Sequence, residues 1–156
     1  MALKPARKIE SWEVGYVYDS SATADQERGG VVALKTAGSG AALDDANAVV
    51  YYAANPSGAV AIGVLADDVR VIDPDKETLN PHKAEARAGQ KVSIVRRGWV
   101  VTDRVVGSPS AGTAAYLGPT GYVQETQDPG APRVGTFLST KGPDGYIKVW
   151  IDCPAV

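Results

Sequence analysis

The sequence predicts an all-β protein: a small β-barrel or β-sandwich with an extended N-terminal arm and a long loop near residues 73–89. Three observations carry this. Among the 156 residues, 17 Gly and 10 Pro punctuate the chain almost throughout. Between them recur short runs rich in Val, Ile and Tyr, bounded by Gly, Pro, Asn and Asp. No stretch long enough for three helical turns carries an i, i+3, i+4 apolar face. A chain of this length is about one domain and can hold a core without metals or disulfides.

Residues 1–14 read as an arm, made basic by Lys4, Arg7 and Lys8 and kept from helix by Pro5. Residues 15–156 read as one β domain. Tyr16-Val-Tyr18 is a short strand and Ser20–Gly30 a polar loop. Gly30–Lys35, Ala48–Ala53 and Ala59–Leu65 follow as strands, the last apolar enough to be buried on both faces. Val69–Ile72 extends the sheet. Residues 73–89 are the most polar stretch, read as a loop with one helical turn near Lys83–Arg87. Lys91–Val95 and Trp99–Thr102 flank Arg97-Gly98 as a hairpin. Ala114–Leu117 and Tyr122–Glu125 flank Gly118-Pro-Thr-Gly121 as another. Arg133–Leu138 is a strand, and Gly142–Gly145 turns into Tyr146–Ile151, with Ile147, Val149 and Ile151 on one face and Tyr146, Lys148 and Trp150 on the other.

The chain carries an internal echo. Tyr52, Gly58, Val60 and Ile62-Gly63-Val64 are matched by Tyr116, Gly121, Val123 and Val134-Gly135-Thr136. A mid-strand Gly marks a bulge or sharp bend, the device that closes a small barrel. Chance and duplication both account for the echo at this level.

Composition narrows the function classes. A net charge of −2 and a pI near 5.4 argue against a pervasive basic field for nucleic acid. Arg96-Arg97 beside Trp99 is a basic–aromatic cluster that reads as a solvated turn. One Cys excludes an intramolecular disulfide framework, and one His with one Cys leaves no ordinary zinc site. No apolar run reaches the ~20 residues of a membrane helix, and the N-terminus shows no hydrophobic signal region. His82 lacks the partners of a triad, Cys153 sits at a strand end rather than in a cationic niche, and Asp44-Asp45, Asp67-Asp68 and Asp73-Pro-Asp75 read as solvated turns. The expectation is a non-enzyme with no catalytic residues, no cofactor and no metal.

The segments Val49-Val-Tyr-Tyr, Val60-Ala-Ile-Gly-Val-Leu-Ala, Gly89-Gln-Lys-Val-Ser-Ile-Val and Gly98-Trp-Val-Val-Thr resemble the small capsid decoration (cement) proteins of tailed phages. So do Ala111–Val123, Arg133–Leu138 and Tyr146–Ile151. The resemblance covers about two thirds of the chain, leaving out residues 1–30 and 73–89, and consists of strands and glycines. It implies a protein made in the host cytoplasm that binds the major capsid protein on the outside of the expanded head, as a trimer or dimer, without nucleic acid or membrane. Under this resemblance Lys4, Arg7, Lys8 and Trp12 are the candidate capsid contacts. The alternative is a carbohydrate- or host-surface-binding module, with Tyr51, Tyr52, Trp99, Tyr116 and Trp150 as its stacking platform.

Overall fold

The computed structural model describes residues 8–37, 48–71 and 85–153, with side chains from residue 15 onward. The architecture is all-β. Its strands are β1 (Lys8–Tyr18), β2 (Val31–Leu34), β3 (Val49–Tyr51), β4 (Ala61–Leu65), β5 (Asp68–Arg70), β6 (Glu85–Arg87), β7 (Lys91–Thr102), β8 (Ala114–Leu117), β9 (Val123–Gln124), β10 (Arg133–Phe137) and β11 (Ile147–Asp152). Nine of them form one sheet in the order β1-β3-β2-β4-β7-β11-β10-β8-β9. A further pairing of β1 with β7 closes the first five into a barrel, and the remaining strands lie outside that ring. The β1–β3 pair is parallel, whereas β1 runs antiparallel to β7.

One strand organises the molecule. β7 is continuous over Lys91–Thr102, so the expected hairpin at Arg97-Gly98 is not formed. Its pairing with β1 slips between Val95 and Arg97, leaving Arg96 as the extra residue of a bulge. A bulge of one residue reverses which side chains face which side. Val92 and Ile94 accordingly pack inside the barrel, while Val95 and Val100 join a second core. Gly98, at φ 140, lies within the strand opposite both Ile9 and Ile151. The Arg-Arg-Gly signal thus marks a bulge followed by a strand glycine.

The strands before and after this bulge repeat one another. β3-β2-β4-β7 and β9-β8-β10-β11 have the same order and the same antiparallel sense. Their registers coincide: Val32 opposite Gly63 and Ala33 opposite Ala61 in the first unit become Ala115 opposite Gly135 and Tyr116 opposite Arg133 in the second. Ile62 and Val134 are the bulged residues, each fully buried and each followed by the glycine. The reciprocal bonds Gly29 N–H to Leu65 C=O and Leu65 N–H to Gly30 C=O recur as Gly112 to Phe137 and Phe137 to Thr113. β7 stands to β11 as β1 stands to β7, with Trp99 opposite Trp150 where Trp12 is opposite Val95. The parallel Val105–Val123 bridge matches Tyr18–Val50. The internal echo is therefore a structural duplication. The echo holds at Gly63 and Gly135 but is misaligned before them: Gly58 corresponds to Gly130 rather than Gly121, Tyr116 to Ala33 rather than Tyr52, and Val123 to Val50 rather than Val60.

The buried residues repeat as well. Val32, Val50, Ile62, Leu65, Val92 and Ile94 fill the first barrel, and Ala115, Val123, Val134, Phe137, Ile147 and Val149 occupy the same places in the second unit. The second core also takes in Val31, Ala33, Val64 and Val95 from the outer side of the first unit. The second core is thus built from both repeats, and burial of these aliphatic side chains drives their docking.

Three sequence expectations change. Residues 8–14, assigned to the arm, run as barrel strand in β1, because β7 offers them an edge to pair with. Val69 does not extend the main sheet: β5 pairs in parallel with β6 in a separate two-stranded sheet. Glu85–Arg87 is β6 rather than part of a helical turn. The rest of the 73–89 loop, up to residue 84, lies outside the described residues.

Both bulge glycines sit against backbone. A methyl group at Gly135 would overlap the Trp150 carbonyl, and one at Gly63 would lie 2.5 Å from the Val95 carbonyl oxygen. Gly135→Ala and Gly63→Ala are expected to destabilise the fold by about 3 kcal/mol or more. Gly15→Ala, with open space around it, is expected to leave the urea midpoint near the wild-type value. Equal midpoints for all three would show that the close approaches carry no constraint.

Candidate functional site

The outer side of the second repeat carries the most distinctive surface. Alternation along β11 sends Ile147, Val149 and Ile151 inward and leaves Lys148 and Trp150 half-buried on the other face. Register then builds a row across five strands: Lys8, Trp99, Trp150, Thr136 and Ala114 lie at successive opposed positions of β1, β7, β11, β10 and β8. Beside it runs a second row of Val101 and Lys148, with Leu138 just beyond β10. Leu138 is 45% exposed. The Lys148 ammonium sits 3.8 Å from the centroid of the Trp99 ring, a cation–π contact that holds it over the indole. Arg97 and Asp152, opposed at the end of the row, approach to 3.8 Å. Near the other end, the Arg133 guanidinium donates to the Thr136 hydroxyl at 3.1 Å.

A recess of about 250 Å³ lies where the repeats meet, lined by Tyr18, Asp19, Ser21, Tyr51, Tyr52 and Thr120 among others. Its tyrosines serve structure. The Tyr52 hydroxyl donates to the Glu27 carbonyl at 2.6 Å and accepts from the Gly30 N–H at 3.2 Å. The Tyr18 hydroxyl accepts from the Tyr52 N–H, and the two rings pack edge to face at 6.2 Å. From the second repeat, the Arg104 guanidinium lies 5.1 Å from the Tyr52 ring centroid and 5.4 Å from that of Tyr122. The Thr120 N–H, in a residue at φ 53, donates to the Ala53 carbonyl at 2.7 Å. Burial pushes the Tyr18 hydroxyl up to about 12 and the Tyr52 hydroxyl higher still. Burial also opposes ionisation of Asp19, yet the Lys35 ammonium at 2.6 Å and the Ser21 N–H hold its carboxyl below the ordinary range.

The acidic pairs have local roles. Asp67 accepts the Ser93 N–H at 2.7 Å and Asp68 accepts the Arg28 N–H at 2.9 Å, so they anchor β5 rather than simply facing solvent. Arg70 reaches Asp25 at 3.1 Å and Glu85 at 3.4 Å, tying the β5–β6 pair together. The other paired acids, Asp44-Asp45 and Asp73 with Asp75, lie outside the described residues, as does His82. Among the described residues, no three His, Cys, Asp or Glu side chains gather in a metal-binding group, and no helix is long and apolar enough to cross a membrane. Cys153 is buried, which pushes its thiol up to about 12.

Of the four candidate contacts, Lys4 and Arg7 lie outside the described residues. Lys8 and Trp12 fall in β1, opposite Trp99 and Val95 respectively. The proposed stacking platform divides. Tyr52 is core, Tyr51 is half-buried, and Trp99, Trp150 and Tyr116 belong to the outer side of the second repeat. Sequence reading missed Leu138 and Thr136 as members of that face and Arg104 as the stacking cation. The outward alternation of Tyr146, Lys148 and Trp150 was the one signal pointing there. No protein-family model matches the chain, and no curated protein matches it.

Tyr18, Tyr52 and Cys153 all bind their protons more tightly when folded than the ordinary values of 10.0 and 9.0 allow. Their contribution is fully present below pH 9 and is lost as pH rises through the folded values. The urea midpoint is expected to fall steadily from about pH 9 upward, and less steeply in Tyr52→Phe. That variant also loses two hydrogen bonds and is expected to cost about 1–3 kcal/mol at pH 7. A midpoint independent of pH up to 11 would count against the buried-proton account.

Proposed function

We propose that this protein is a structural decoration protein that binds the outer surface of an expanded phage head and bridges neighbouring major capsid proteins. The observation that carries this reading is the duplication. A shell presents identical subunits at fixed spacings. A chain holding two copies of one β unit, fused through a shared strand, offers two related surfaces in a fixed relative orientation. That geometry suits a clamp between like neighbours. Each bound copy stabilises the expanded lattice by mass action, because it binds that form in preference to the unexpanded one.

The capsid-contact candidates fit the clamp at one end. Lys8 and Trp12 lie on β1, whose start is in register with the Trp99–Trp150 row. Lys4 and Arg7 precede them in the chain. Basic residues on an extended segment complement an acidic capsid surface, and an extended segment can lie along a sheet edge of a neighbour. The protein would act on the virion exterior without catalysis or cofactor.

A second reading, a carbohydrate- or host-surface-binding module, is favoured by the side-by-side Trp99 and Trp150. Lys148 already occupies one face of Trp99, which leaves Trp150 as the better platform for a sugar ring.

Purified protein mixed with undecorated expanded heads is expected to co-sediment to saturation at a fixed ratio to capsid subunits and to raise the shell's melting temperature. Unexpanded shells are expected to bind less. Replacing Lys4, Arg7 and Lys8 together by Ala is expected to weaken binding and flatten its dependence on salt. Absence of saturable binding to the cognate heads, with retention on a glycan array that Trp150→Ala abolishes, would replace this reading with the second.

A further inference from the structure

We propose that the outer face of the second repeat is a binding site for an acidic saccharide, with Trp150 as the platform for a sugar ring and Arg133 and Lys148 as the cations that recognise its acid group. This assignment rests on the saccharide reading of Trp150 given above, names the class of saccharide, and is independent of binding to heads. Its basis is the way charges are paired. Lys35, Arg70, Arg97 and Arg104 each have a carboxylate within 4.0 Å. The partners of Arg133 and Lys148 among the described residues are all neutral. The Arg133 guanidinium donates from Nε to the Gly135 carbonyl at 3.2 Å and from Nη2 to the Thr136 hydroxyl at 3.1 Å. The Lys148 ammonium rests over the Trp99 ring.

Register sets these two cations on either side of Trp150. Thr136 lies opposite Trp150 on one edge of β11, and Trp99 lies opposite it on the other. Neighbouring strands are about 4.8 Å apart, so the groups that anchor the two cations stand roughly 10 Å apart with the indole between them. Both cations are positioned before a ligand arrives, which cuts the entropy cost of binding. Each keeps N–H donors to spare for an anion, and the Thr136 hydroxyl keeps its own proton to donate.

The shape of the face selects the kind of ligand. β11 is bonded along both edges, to β7 and to β10, so an extended peptide has no edge to join here. A sugar ring needs a flat apolar surface for its C–H face and a few polar groups at its rim, and this face supplies both. Charge then selects among sugars. A neutral ring would leave both cations without a counter-ion, whereas a carboxylate, sulfate or phosphate on the ring gains charge-assisted hydrogen bonds from them. The chain as a whole carries −2, so it does not draw in polyanions at long range, and the acid group is recognised in contact.

A glycan array carrying uronic, sialic and sulfated sugars beside their neutral counterparts, followed by tryptophan-fluorescence titration of the sugars retained, tests this. Wild type is expected to retain at least one acidic class and to bind the matching neutral sugar about tenfold or more less tightly. Arg133→Gln and Lys148→Gln are expected to keep the wild-type melting temperature while each weakens acid binding about tenfold. Trp150→Ala is expected to abolish binding of either class. Trp99→Phe keeps a ring beneath Lys148 and is expected to bind like wild type, whereas Trp99→Ala frees the ammonium and is expected to weaken the acidic sugars alone. Retention of neither class would overturn both this assignment and the saccharide reading, whatever the heads do. Equal binding of acidic and neutral sugars, or acid binding that survives Arg133→Gln and Lys148→Gln combined, would overturn acid recognition and leave the saccharide reading standing. Poly-glutamate or single-stranded DNA bound as tightly as the acidic sugars would overturn the assignment in favour of a general anion surface.

Discussion

The single extra residue at Arg96 is the constraint on which the molecule depends. A strand presents alternate side chains to two sides, and without the bulge β7 would keep one face toward one core along its whole length. With it, Val92 and Ile94 complete the first barrel, and Val95 and Val100 belong to the second core. One strand thereby ends one repeat and begins the next. No linker separates the repeats, and neither owns its boundary strand outright.

Around that strand the repeats are fastened by contacts of different kinds. Aliphatic burial joins the outer side of β2 and β4 to the interior of the second unit. Polar contacts supply direction. Arg104 stacks between Tyr52 of the first repeat and Tyr122 of the second, and the N–H groups of Thr120 and Gly58 reach across to Ala53 and Gly130. Tyr52 is the meeting point, with its hydroxyl bonded at Glu27 and Gly30 and its ring against Tyr18 and Arg104. Interactions that differ in kind but converge on one residue fix the orientation of the repeats.

Much of this was legible in the sequence. Alternation in Tyr146–Ile151 gave the faces of β11, and Gly118-Pro-Thr-Gly121 gave the turn between β8 and β9, because both signals are local. Of the apolar run Ala59–Leu65, the stretch Ala61–Leu65 is buried on both sides as read, whereas Val60 is 40% exposed. Gly63 and Gly135 betrayed the duplication, since close approach by a neighbouring carbonyl leaves no room for any other residue there. The readings that failed concern long-range pairing. Arg-Arg-Gly has the composition of a turn, and only the partners β1 and β11 hold it straight. The N-terminal segment is basic and broken by Pro5, as arms are, yet the free edge of β7 recruits it from Lys8 onward. Tyr52 and Tyr116 share a letter but not a place: Tyr52 follows β3, whereas Tyr116 lies in β8, the counterpart of β2. The outer face escaped notice for a related reason: its members come from five strands, and no single segment displays it.

The closure of the barrel by β1 has a consequence for biogenesis. β1 finds its main partner in residues 91–99 of β7, far along the chain. It can be locked in place only after most of the chain has been made. β7 in turn is held by β11, which ends at Asp152. The outer side of β2 and β4 stays uncovered until the second repeat is made, because its residues pack into that repeat's core. Such high contact order slows the search and lengthens the time that strand edges stand unpaired. Production in the cell is then governed by the race between that late closure and aggregation.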